Sequence, residues 1–122
     1  MAIASATTGI SSTFAISASF AAAQGNVTIT NPGRSFRVLQ VVGTGTAGAA
    51  ITVKKNDTNG VTVGAVTVDV NSEPMDGVLT LANVEFAATD NIFILVGNQN
   101  ATQCDIICVA TGGGQTLINA VA

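Results

Sequence analysis

Few residues in this chain could do chemistry. In 122 residues there are two Cys, seven Asp or Glu, four Lys or Arg, and no His. His is the side chain that most readily carries protons near neutral pH, so general acid–base catalysis loses its usual agent. The cysteines lie in Cys104-Asp-Ile-Ile-Cys108. On an extended strand they share a face but stand ~13 Å apart, at ~3.3 Å per residue. A disulfide needs Cα atoms within about 7 Å. Two thiols are also too few for a structural zinc site, and a thiol nucleophile would lack its His base. Both are therefore expected to be free, packed inside as small apolar residues, as suits a reducing cytoplasm.

The carboxylates are scattered. Glu73 and Asp76 share one loop, whereas a glycosidase needs two that face each other. Asp57, Asn59 and Gly60 match a fragment of a calcium loop, without its other ligands or its closing Glu. They read better as a hairpin turn. Gly43-Thr-Gly45-Thr-Ala-Gly48 fits the G-x-G-x-x-G spacing, with Asp69 near the end of the next strand. A dinucleotide site also needs a helix opening at the third glycine, so that its N-terminus faces the pyrophosphate. The following Ala50-Ile-Thr-Val-Lys54 alternates instead, which makes the glycines a loop between strands. Thr28-Ile29-Thr30 reads as a solvated strand face. The chain is expected to be no enzyme and to bind no cofactor or metal.

Composition narrows the class further. Charged residues make up 9% of the chain, against 48% apolar, with a net charge of −3. Nucleic-acid binding needs a basic footprint, which is missing. No apolar run reaches the ~18 residues of a membrane helix. Ala18-Ser19-Phe20-Ala21-Ala22-Ala23 imitates a secretory cleavage site, yet no Lys or Arg precedes it and no continuous apolar block leads into it. Low charge also leaves little repulsion between surfaces, which favours self-association or docking.

The elements that must position these residues are strands. Phe14, Ile16, Ala18 and Phe20 alternate with small polar residues, and Val27 and Ile29 continue the period of two. Asn31-Pro32-Gly33 is a turn, and Ser35 to Val42 reads as an interior strand. Ile51 and Val53 open the next strand, Asn56 to Gly60 is a hairpin loop, and Val61 to Val70 returns. Gly64 within that return suggests a bulge or a close backbone approach. Glu73 to Gly77 is a loop. Val78–Ala82 and Val84–Phe86 are strands, or one strand bent at Asn83. Ile92–Val96 and Asp105–Ala110 complete the set, with a short segment around Leu117 and Ile118. Turns every 8–12 residues predict an all-β fold, a β-sandwich or jelly-roll-like small barrel of about eight strands.

The segment Phe86-Ala-Ala-Thr-Asp90-Asn-Ile92-Phe-Ile94-Leu-Val96 follows a pattern of small jelly-roll and sandwich modules. There, small residues and an Asp turn into an alternating strand. With its Thr-, Ala- and Val-rich strands and the absence of His and Trp, the chain resembles small virion proteins of tailed bacteriophages, cyanophages among them. The head decoration (cement) type is the nearest. That resemblance implies a symmetric homo-oligomer, often a trimer, which docks on the major capsid protein or another virion protein and reinforces the lattice. It also implies assembly in the host cytoplasm. The alternative is a binding module, such as a phage fibre or adhesin tip recognising a surface glycan. Sugars usually stack on Trp or Tyr, and the chain has neither.

The first 33 residues carry no charged side chain. Burying such a segment costs little beyond its backbone groups, which a neighbouring sheet edge can satisfy. Residues 1 to about 22 are accordingly expected to form a docking arm, with Ile3, Ile10, Phe14, Ile16 and Phe20 as partner-binding anchors. Residues 23–122 are expected to form the sandwich. For Phe14 to Phe20 an ordinary first strand of the chain's own sheet is the competing reading.

Overall fold

The computed structural model describes residues 13–21, 25–31, 33–80 and 84–112. Among them are ten strands and no helix: β1 (Thr13–Ser19), β2 (Asn26–Ile29), β3 (Ser35–Gly45), β4 (Ala50–Lys55), β5 (Thr62–Thr67), β6 (Met75–Asp76), β7 (Val78–Leu79), β8 (Glu85–Phe86), β9 (Ile92–Gly97) and β10 (Ala101–Gly112). The all-β expectation holds, as a sandwich of two sheets. The last expected segment, around Leu117 and Ile118, lies outside the described residues.

One sheet has the order β1-β10-β3-β6, with β8 also paired to β3; the other has β2-β9-β4-β5-β7. All pairings are antiparallel. The first four strands alternate between the sheets, β1 and β3 in one and β2 and β4 in the other, and β5 then stays beside β4 as a hairpin. Among the described residues the two antiparallel sheets pack face to face as a β-sandwich.

Period-two alternation decides which face is buried. From the first sheet Ile16, Ala18, Phe36, Val38, Val41, Cys104, Ile106 and Cys108 point inward. Ile51, Val53, Val63, Val66, Ile92, Ile94 and Val96 meet them from the second. Phe36 stacks on Phe86 at 4.8 Å between ring centroids, and Phe14 meets Phe36 edge-on at 5.6 Å. Such aromatic contacts are worth ~0.5–1.5 kcal/mol each beyond the area they bury.

Two readings of the sequence are refined. Met75 and Asp76 form a short strand on β3, not a loop. At Gly77 the chain changes sheets, and its N–H donates to the Val41 carbonyl. The segments 78–79 and 85–86 are not one bent strand, because β7 pairs with β5 in one sheet and β8 with β3 in the other. The bulge suspected near Gly64 is real: the β4–β5 register slips between Val53↔Gly64 and Lys54↔Thr62.

Candidate functional site

The polar side chains that do converge lie at one end of the sandwich, in the β2–β3, β4–β5 and β8–β9 loops. Asp90 is the centre. Its Oδ2 accepts from the Ala87 N–H at 2.9 Å, and its Oδ1 accepts from Asn56 Nδ2 at 3.0 Å. Lys55 Nζ lies 3.3 Å from the carboxylate and also donates to the Glu85 carbonyl at 2.8 Å. The Asn56 hydrogen bond and then the Ala87 N–H hold the Asp90 carboxyl below its ordinary 3.8, opposed by burial and helped more weakly by Lys55. Asn56 can open this loop because it adopts φ 72°, a conformation Asn tolerates better than most residues.

Asn31 completes the cluster and is the buried polar residue of the described chain. Its Nδ2 donates to the carbonyls of Ala87 (3.0 Å) and Asp90 (2.9 Å). Its Oδ1 accepts from the N–H groups of Gly33 (2.8 Å) and Arg34 (3.1 Å). Sequence reading placed Asn31 and Asp90 only as turn residues. The signal was an Asn or Asp at each turn, but nothing local says that two turns 59 residues apart will touch. The chemistry of this end is that of a clamp. Asn56, the Ala87 N–H and Lys55 converge on the Asp90 carboxylate, while Asn31 donates to the backbone carbonyls of the same loop. Among the described residues no three His, Cys, Asp or Glu side chains gather to hold a metal ion.

The other sequence candidates are placed as follows. Cys104 and Cys108 are free and fully buried on the inner face of β10. Burial pushes both thiols up to about 12, with the nearby Asp105 charge adding to the effect on Cys104. Gly43 and Gly45 lie within β3, and Gly48 in a turn at φ +96° leads into strand β4, not a helix. At Gly43 a Cβ would press on Val66 and Ile51 of the opposite sheet. At Gly45 it would strike the backbone of Asn100 and Ala101. Close packing therefore requires these glycines. Asp57 is a turn residue whose Oδ1 accepts from the Asn59 N–H at 2.9 Å. Asp76 is tied to Gln40, which donates to it at 2.8 Å.

Of the five proposed anchors, Ile3 and Ile10 lie outside the described residues. Phe14, Ile16 and Phe20 all pack on this chain's own core. β1 pairs with β10 in the register Ile16↔Ile106 and Phe14↔Cys108. Residues 13–19 are thus a strand of the sandwich, the first among the described residues, and Phe14 and Ile16 pack on its core.

What the sequence did not single out is the outward face of the first sheet. Register aligns Ala15, Ile107 and Gln40 in one row, Thr13, Val109 and Arg37 in the next, and Ser17, Asp105 and Val42 in a third. The β3–β10 ladder slips between Ile107 and Cys108, leaving Leu39 as the extra residue of a bulge. Leu39 is therefore turned outward beside Gln40 and is 50% exposed. The face mixes exposed Leu39 and the partly buried Val42, Ile107 and Val109 with Arg37 and with hydrogen-bonded polar pairs: Gln40 with Asp76, Gln103 with Asp105, and Thr111 with Glu85. On the second sheet Val78 is 74% exposed.

No protein-family model matches the chain, and no curated protein matches it either.

Proposed function

We propose that this chain is a structural virion protein, of the kind that docks on a phage capsid lattice and reinforces it. The single observation that carries the reading is the outward face of the first sheet, where Leu39, Val42, Ile107 and Val109 stand beside Arg37, Gln40 and Asp105. Docking interfaces likewise combine apolar contacts with hydrogen-bonding polar side chains. The rest of the molecule is consistent with passive reinforcement. Its polar end cluster is a clamp, its thiols are buried and protonated, and its two-sheet sandwich fits the jelly-roll architecture used by capsid domains among others. The partners are the major capsid protein or another virion protein, together with further copies of this chain, assembled in the host cytoplasm.

Two measurements test this. Quantitative mass spectrometry of purified virions should find hundreds of copies per particle. A handful would move the protein to a tail or fibre tip, and none would end the proposal. Leu39→Glu should leave folding within ~0.5 kcal/mol of the parent, as for exposed positions generally. It should weaken binding to stripped particles by tenfold or more. Normal binding would show that this face is not the docking surface.

A further inference from the structure

The outer edge of β1 has a property that the capsid reading does not require. Phe20 N–H donates to the Thr102 carbonyl of the neighbouring strand. In an antiparallel ladder such bonds recur at every second residue. Ala18, Ile16 and Phe14, opposite Cys104, Ile106 and Cys108, therefore turn their backbone groups toward β10. The N–H and C=O groups of Thr13, Ala15, Ser17 and Ser19 then point away from it. Among the described residues β10 is the only strand paired with β1.

An edge of this kind is normally protected by Lys, Pro, a bulge or a very short strand. β1 has none of these. It is seven residues long and reads TFAISAS, and its ladder with β10 runs without a register slip.

We infer that the outer edge of β1 pairs with the same edge of a second copy, antiparallel about a two-fold axis at Ile16. In that register the outward backbone groups meet as hydrogen-bonded pairs, Ala15 with Ser17 of the second copy and Thr13 with Ser19. Every outward N–H then faces an outward C=O. On the inner face, Ile16 meets its own equivalent, and the large Phe14 lies opposite the small Ala18, so volumes alternate. On the outer face only Ala, Ser and Thr meet, and cross-strand Thr–Ser pairs are favourable. No charge opposes a like charge, because the strand has none. Phe14 is half-buried, held edge-on by Phe36 and covered by Arg34 at 4.8 Å. A second copy would cover what remains exposed. The product is one sheet continuous across two molecules.

This contact is isologous, and an isologous contact alone closes a dimer. The trimer implied by the phage resemblance needs a different, head-to-tail contact. The inference concerns the free protein and stands or falls separately from capsid docking.

The full-length chain should therefore show the mass of a dimer by light scattering at micromolar concentration. Ala15→Pro deletes an outward N–H without touching the β10 ladder. It should give a monomer with unchanged circular dichroism. Cross-linking then tests the register. Ala15→Cys and Ser17→Cys should each fail to form a disulfide dimer alone, but a mixture of the two should form one under mild oxidation. Cys104 and Cys108 stay silent because they are buried and protonated. A monomeric or trimeric parent would overturn the inference. So would a dimer that survives Ala15→Pro, or cross-linking as efficient in either single variant as in the mixture.

Discussion

At the scale of residues, behaviour follows from which groups folding removes from water. The thiols of Cys104 and Cys108 rise from 9.0 to about 12 because burial penalises the thiolate. Thiolate is the reactive form, so a folded sample at pH 8 should react with neither thiol and an unfolded one with both. A raised acid pKa stabilises the fold fully below the unfolded value and loses that effect as pH rises through the folded one. The alkaline limb should thus fall from pH 9.0 toward about 12, and replacing both cysteines with Ala should make it shallower. Asp90 has the opposite sign. Its folded value lies below 3.8, so its contribution is complete above that pH and is lost as pH falls below it. Asp90→Asn should flatten the acid limb of a stability curve measured by urea titration. The largest polar effect belongs to Asn31, which satisfies two carbonyls and two N–H groups. Asn31→Ala should cost about 2–3 kcal/mol, since each orphaned buried group carries a desolvation penalty of ~1–3 kcal/mol. A loss under 1 kcal/mol in denaturant melts would mean that water replaces it readily.

At the scale of elements, alternation makes most strands legible in the sequence, because inward and outward faces differ along β1, β4 and β10. The sheet-crossing at Gly77 was not legible. Its cause is non-local: a Cβ there would lie 2.6 Å from the Ala65 carbonyl oxygen and 3.1 Å from that of Val41, one from each sheet. Gly77→Ala should therefore cost ~1–3 kcal/mol, the usual range for overpacking, because backbone cannot rotate away as a side-chain tip can. Gly97→Ala meets nothing within 4 Å and should stay within ~0.5 kcal/mol of the parent. Equal thermal shifts for the two would refute this account of the crossing. Ile106 is fully buried at the centre of β10, where Ile→Ala typically costs ~2–5 kcal/mol.

At the scale of the whole molecule, far-ultraviolet circular dichroism should show a β spectrum without a dominant helical signal. With a net charge of −3 and a pI near 4.3, self-association should increase as pH falls toward that value and repulsion vanishes. The sequence by itself determined the class of the protein: all-β, weakly charged, with two free buried thiols and no His. These properties follow from residue type and from a period of two, both of which are local. Tertiary structure alone decided the rest. It joined Asn31 to the Ala87–Asp90 loop, sent β7 and β8 to different sheets, and made residues 13–19 a strand of the sandwich beside β10. It also turned Leu39 outward through a bulge. Each outcome depends on which distant strand becomes a neighbour, and in this sandwich most pairings join strands far apart in the chain. A repeating alternation says that a strand has a buried face, but it carries no label for the strand that will lie beside it.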